Sequence, residues 1–327
     1  MKRKLLFIIP LLLFLCGLII ALYGTQIGLS TINKPIYLYK PSTKRFAKDA
    51  LYIMGTYGVY AKENHFDQMI PGFIEEIDNK ATYDDALPLL NQAIKKAGGN
   101  HSSVIEVDEN YTASTFNASL LTFPRVIEDD GIATIILPPF LSGDEADVQQ
   151  YIDTSIQALT KLARPKGVII DLRRNTGGNM LAMLGACVPF LKDGKLFDFV
   201  AQDKTTPVRL NKNQLAYENI NLTVQNTMTF TDLPIAILTD NQTASSAEVL
   251  LIALKGQEDV QSFGEETAGY ATGVTLVPLY EKYALSLAVA KIRGIDDTLY
   301  EEKPIRPDIV TSNPEEDAKK WITGTHP

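Results

Sequence analysis

The sequence predicts an α/β protein, a parallel-sheet core preceded by a small helical region and an apolar N-terminal helix. Between residues 131 and 255 short apolar runs alternate with segments of helical periodicity, the pattern of right-handed strand–helix–strand crossovers. Between residues 44 and 97 the apolar spacing is helical. At 327 residues, 45% apolar and 21% charged, the chain is long enough for one large domain and a smaller partner.

The elements follow in order. Lys2, Arg3 and Lys4 precede an uncharged stretch from Leu5 to Tyr23, 19 residues, which as a helix spans roughly 28 Å. The basic flank orients it with its start in the cytoplasm, making a single-pass cell-membrane protein whose body is extracytoplasmic. A cleaved signal is the rival, although its apolar region is usually shorter and ends small-x-small, whereas here the end reads Ile20-Ala21-Leu22-Tyr23-Gly24. Cys16 invites a lipidation reading, but Phe14 and Leu15 before it are too bulky for the usual site.

Helical spacing returns from Lys44 to about Tyr60 and from Tyr83 to Ala97, with Thr82, Asp84 and Asp85 as a start signal and Gly98-Gly99 as a stop. Residues 131–137 and 167–172 read as strands flanking an amphipathic helix from Asp144 to Ala163. A helix follows Gly178, a strand occupies 234–238, a helix runs from about Ser245 to Lys255, and Val274–Ile292 reads as paired strands. Lys192–Asp232 is polar and weakly patterned, an expected surface excursion. The expected domains are an anchor or signal (1–24), a helical region (25–105), a catalytic core (106–318) and a tail (319–327).

Composition excludes several function classes. There are 31 basic and 39 acidic residues, and without the three basic residues of the first 24 the body stands at −11, so no nucleic-acid partner is expected. Two cysteines, Cys16 and Cys187, support neither a disulfide framework nor a cysteine-rich zinc site. No metal or organic cofactor is expected.

In a parallel α/β sheet, function collects in loops leaving the carboxyl ends of strands. Two such loops stand out: Asp171-Leu-Arg-Arg-Asn-Thr-Gly-Gly178, whose glycines serve a tight turn or a close backbone approach to ligand, and Asp240-Asn-Gln-Thr-Ala-Ser-Ser-Ala-Glu248, where Ser245 is a nucleophile or an ordinary helix cap. A serine nucleophile needs a base. Of three histidines, His326 is penultimate, His65 lies in a charged stretch, and His101 leaves a helix after Gly98-Gly-Asn100.

Four ordered blocks over about 140 residues, Ile170–Gly178, Thr239–Glu248, Gly264–Gly269 and Ile305–Asp308, resemble the S41 family of serine peptidases, the tail-specific and tricorn-core group. The resemblance extends back through Thr82–Ser102. It implies a crotonase/ClpP-like α/β core, a polypeptide substrate, and Ser245 as nucleophile. It places Ser246, through its N–H, and Gly177 or Gly178 at the oxyanion. The general-base lysine of the carboxy-terminal-processing branch, 25 residues after the nucleophile, is here Tyr270, and a tyrosine is a poor base near neutral pH. Lys255 or Lys291 would have to replace it. The tricorn-like branch instead uses a histidine followed by a hydroxyl residue, matched by His101-Ser102, and a glutamate six residues before the proline of the last block, matched by Glu301, with Glu302 one residue off.

The expected reaction is peptide hydrolysis: Ser245 attacks, His101 moves the proton, Glu301 supports the imidazolium, directly or through Ser102. Only 29 residues separate His101 from Gly131, too few for the PDZ module many relatives carry. The Tyr270 departure also allows an inactive binding or scaffold protein, and another hydrolase or acyl transferase is a third reading.

Overall fold

The computed structural model describes residues 2–107, 121–162, 164–226 and 228–324, with side chains from Ile9 onward. The chain divides into two compact units, Met1–Asn110 with Val274–Val289, and Tyr111–Gly273 with Ala290–Pro327.

In unit 1, helix α1 (Lys2–Ile32) is followed by α2 (Thr43–Tyr57), α3 (Phe66–Ile77) and α4 (Tyr83–Gly98). The start of α4 is held by a capping box: Asp85 N–H donates to Thr82 Oγ1 (3.2 Å) and Thr82 N–H donates to Asp85 Oδ2 (3.0 Å). Strand β1 (Ser103–Glu106) pairs antiparallel with residues 283–286. Phe46, Leu51, Met54, Leu90 and Ile94 from the helices bury against Val277, Leu285 and Leu287. The paired strands expected at 274–292 are therefore divided, and their first part completes the core of the helical unit. Helix α3 was not anticipated, because Lys62–Asn64 and Asp67 are exposed and mask the helix that begins at buried Phe66.

Helix α1 is longer than the apolar run suggested. From Ile9 to Ile32 it is long and apolar enough to cross a membrane, a property shared by anchors and signal sequences.

Unit 2 contains a six-stranded sheet. In chain order its strands are β2 (Arg125–Asp129), β3 (Ile132–Ile136), β4 (Gly167–Asp171), β9 (Ile235–Thr239), β10 (Val260–Gly264) and β14 (Ile309–Val310), and in space they run β14-β10-β9-β4-β3-β2. All neighbours are parallel except β2 against β3. Both faces are covered, which is why β4 and β9 read as unbroken apolar runs. Val168, Ile170, Ile235 and Ile237 face one core with helices α5 (Glu145–Leu159), α6 (Met180–Ala186) and α7 (Ser246–Lys255). Ile169, Ala236 and Leu238 face the other, covered by α8 (Pro314–Thr323) through Ala318 and Ile322. A break at 318/319 would fall inside α8.

The expected excursion at 192–232 is instead an antiparallel meander, β5 (Gly194–Ala201), β6 (Thr205–Asn211), β7 (Gln214–Tyr217) and β8 (Ile220–Thr223). Its alternation was diluted by polar outward positions and the exposed Lys204–Glu218 pair, while Leu196, Phe197, Val208, Leu210 and Leu215 are buried in the core. Strand β11 (Thr272–Tyr280) pairs with β12 (Tyr283–Gly294), whose last residues, 290–294, pair with β5, and β13 (Leu299–Tyr300) pairs with β12.

Candidate active site

Both loops singled out in the sequence leave the carboxyl ends of adjacent parallel strands, β4 and β9. They are stitched together. Arg174 N–H donates to Asp240 Oδ1 (3.0 Å), Thr243 Oγ1 donates to Leu172 O (2.9 Å), Ala244 N–H to Asn175 O (2.9 Å), and Ser246 Oγ to Gly178 O (2.6 Å).

Ser245 sits between β9 and α7 with φ 55° and ψ −119°. A non-glycine residue there is strained by about 1–3 kcal/mol, and such a sharp strand-to-helix turn is how a nucleophilic hydroxyl is lifted clear of the main chain. Two buried side chains hold the turn. Glu248, fully buried, accepts from the N–H groups of Ser245 (2.8 Å), Gly269 (2.9 Å) and Tyr270 (2.7 Å) and from the Thr267 hydroxyl. Burial pushes its carboxyl above the ordinary range, with those four donors opposing the shift. Asn175, also buried, donates to Leu137 O (2.8 Å) and accepts from Gly177 N–H (2.9 Å).

That last bond separates the two glycines. The Gly177 N–H is occupied by Asn175, so Gly177 serves the turn. A Cβ there, at φ +95°, would come within 2.7 Å of Ser245 Cβ. Among the described residues, the N–H groups of Gly178 and Ser246 donate to no protein acceptor. Gly178, at φ +127°, has its Cα pressed so close to Phe140 O that an added Cβ would lie 2.0 Å from it.

The four sequence blocks converge here. Ala268 N–H donates to Thr243 O (2.9 Å), Thr267 N–H donates to Ile305 O (3.1 Å), and Ile305 N–H donates to Thr267 Oγ1 (2.8 Å). Tyr270, half-buried, contributes its N–H to Glu248.

The other expected site residues have partners that narrow their roles. Glu301 accepts from Lys291 Nζ (2.8 Å), a bond that holds its carboxyl below the ordinary range. Lys255 is ion-paired with Asp308 and donates to Ser262 Oγ (3.2 Å). Each lysine that might have replaced the missing base thus has its ammonium engaged by a carboxylate. Glu302 lies beside Glu301, half-buried.

His101 and Ser102 belong to unit 1, just after α4. Burial, with the Lys95 charge adding to it, lowers the His101 imidazole from 6.5 to about 4, so it is neutral and able to accept a proton at physiological pH. Ser102 is fully buried, donates to Gly98 O (2.9 Å) and accepts from Ala288 N–H (2.9 Å). Its single proton is directed at that carbonyl. His65 is exposed at the start of α3, and His326 lies outside the described residues.

Sequence reasoning attached no role to Glu248 or Asn175. Their signal was present in Ser-x-x-Glu and Asn-Thr-Gly-Gly, but only the hydrogen bonds show what each holds.

Residues 131–311 match Peptidase family S41. The chain is 31% identical over 288 residues to the nisin-resistance protein of Lactococcus lactis subsp. lactis, covering 88% of this chain and 89% of that protein. It is 27% identical over 192 residues to a carboxy-terminal-processing protease of Bartonella bacilliformis, of whose length it spans 40%. A solved lipoprotein from Streptococcus agalactiae superposes with a TM-score of 0.73 at 25% identity, covering 89% of this chain and 99% of that one. With more than half of its length matched, the chain belongs to peptidase family S41 and is a serine-type peptidase, a hydrolase.

Proposed function

We propose that this chain is a membrane-tethered endopeptidase on the extracytoplasmic side of the cell membrane, with a crotonase/ClpP-like core and a serine–histidine mechanism. The supporting observation is the strained Ser245 turn beside the N–H groups of Gly178 and Ser246, which donate to no acceptor among the described residues. Ser245 Oγ attacks the scissile carbonyl. The two N–H groups hold the developing oxyanion, each such donor being worth about 3–4 kcal/mol in the transition state. His101, neutral near pH 7, takes the Ser245 proton and returns it to the leaving amine. Water then repeats the attack on the acyl-enzyme.

Glu301 is given the part of supporting the imidazolium electrostatically, its carboxylate being kept ionised by Lys291. The 31% identical relative is named for nisin resistance, which makes nisin the first substrate to try.

A fluorophosphonate probe tests the mechanism. Labelling abolished by Ser245→Ala and strongly reduced by His101→Ala is the expected result. Labelling that survives His101→Ala but is lost with Lys291→Ala would overturn the histidine assignment. A folded protein that takes no label would point to a binding role.

A further inference from the structure

Helix α1 changes its surroundings along its length. From Gly24 onward it is built into unit 1, with Gly24, Thr25 and Gly28 buried. After Asn33, at φ 54°, the chain turns back and runs along the helix. Ile36 N–H donates to Gly24 O (3.0 Å), a Cβ on Gly28 would meet Lys34 O at 2.1 Å, and one on Gly24 would meet Ile36 O at 2.2 Å.

The return path continues toward the helix start. Leu38 Cδ1 comes 4.0 Å from the position of a Gly17 Cβ, two turns or about 10 Å before Gly24. There Leu38 is 53% and Tyr39 75% exposed, at the level where Leu13, Phe14 and Leu18 of the helix are exposed as well. One turn nearer the body the contacts become polar. Arg45 donates from Nη1 to Ala21 O (3.4 Å) and from Nη2 to Thr25 Oγ1 (3.3 Å), and its Nε pairs with Asp49 (2.8 Å).

A guanidinium–carboxylate pair is costly in hydrocarbon, and exposed leucine, phenylalanine and tyrosine are costly in water. Resting on the reading that α1 spans the bilayer, we infer that the membrane surface crosses the helix between Gly17 and Ala21, and that Leu38 and Tyr39 insert there as an interfacial foot of unit 1. The aromatic ring sits at headgroup depth, where tyrosine is favoured, and Arg45 lies level with the lipid phosphates. The hydrocarbon span becomes Leu5–Ile20, roughly 24 Å, with Lys2, Arg3 and Lys4 preceding it in the sequence. The occupant is lipid and not a second copy of the helix. A Gly-x-x-x-Gly face ordinarily admits another helix, but Gly24 and Gly28 are filled by the chain's own return segment.

The test uses the full chain in phosphatidylcholine–phosphatidylglycerol vesicles with a nitroxide at Cys16, or at Tyr39→Cys in a Cys16→Ala background. Asp67→Cys in the same background is the exposed control. Cys187 is buried and stays unlabelled. Collision with oxygen relative to a water-soluble nickel chelate is read by electron paramagnetic resonance. The expected result is a ratio several-fold higher at positions 16 and 39 than at 67. A ratio at 39 equal to that at 67, with 16 still high, overturns the foot and leaves the anchor standing. A low ratio at 16 overturns the anchor itself. Position 39 shielded from both reagents places a second copy there and overturns the lipid assignment.

Discussion

Ser245 and Ser102 are the same residue put to opposite uses in the two units. The Ser102 hydroxyl is consumed, donating to Gly98 O and accepting from Ala288 N–H, and so fastens the end of α4 to β12. At Ser245 the backbone is fastened instead: Glu248 grips its N–H, the helix begins immediately after it, and the strain of a positive φ is carried by the surrounding bonds. A hydroxyl can serve as a nucleophile when the scaffold holds the residue by its main chain and leaves the hydroxyl proton for a base.

That contrast can be broken by substitution. The largest effect is expected at Ser245→Ala, a loss of more than about 10³-fold in kcat/KM with no loss of melting temperature. His101→Ala should lower kcat by about 10²–10⁴-fold. In the unsubstituted enzyme, kcat/KM should hold down to near pH 4, not fall at the 6.5 of an ordinary imidazole. An acid limb at 6.5 would mean that the imidazole titrates in the working enzyme as an exposed one does. The same shift governs stability. Between pH 6.5 and about 4 the unfolded chain binds the proton and the folded chain does not, so stability is lost as pH falls through that window.

Glu248→Ala should follow, with kcat down about 10²-fold and stability down about 3 kcal/mol, since three N–H groups and a hydroxyl lose their buried acceptor. Glu248→Gln, which keeps one acceptor oxygen, should recover part of both. Equal loss of stability and full retention of kcat would reduce Glu248 to a packing residue. The smallest effect is expected at Ser102→Ala, about 1–2 kcal/mol in denaturant unfolding with unchanged kcat per folded molecule. A large fall in kcat there would make it a proton relay.

Elements with one clear period were legible in the sequence. α4 announced itself through Thr82 and its capping partner, and β4 and β9 through unbroken apolar runs that only a doubly covered strand can carry. The meander at 194–223 was hidden because its outward positions are polar, and α3 because its approach is charged. In the candidate site, the two loops that carry Gly178, Ser245 and Ser246 were readable from their blocks. The distinction between Gly177 and Gly178 was not, because it depends on which N–H the Asn175 amide captures.

The amino-acid order alone determined the α/β class, the family blocks, and the place of the strand-to-helix turn at Ser245, since each is written in local period or in residue types at fixed spacing. Which groups remain available for chemistry was decided by the tertiary structure. Ser102, Gly177, Lys255 and Lys291 carry suitable atoms, but partners 2 to 53 positions away take up the protons and charges that a site would need. Hydrogen-bonding capacity is finite, so a residue's role is set by what the fold has already placed against it.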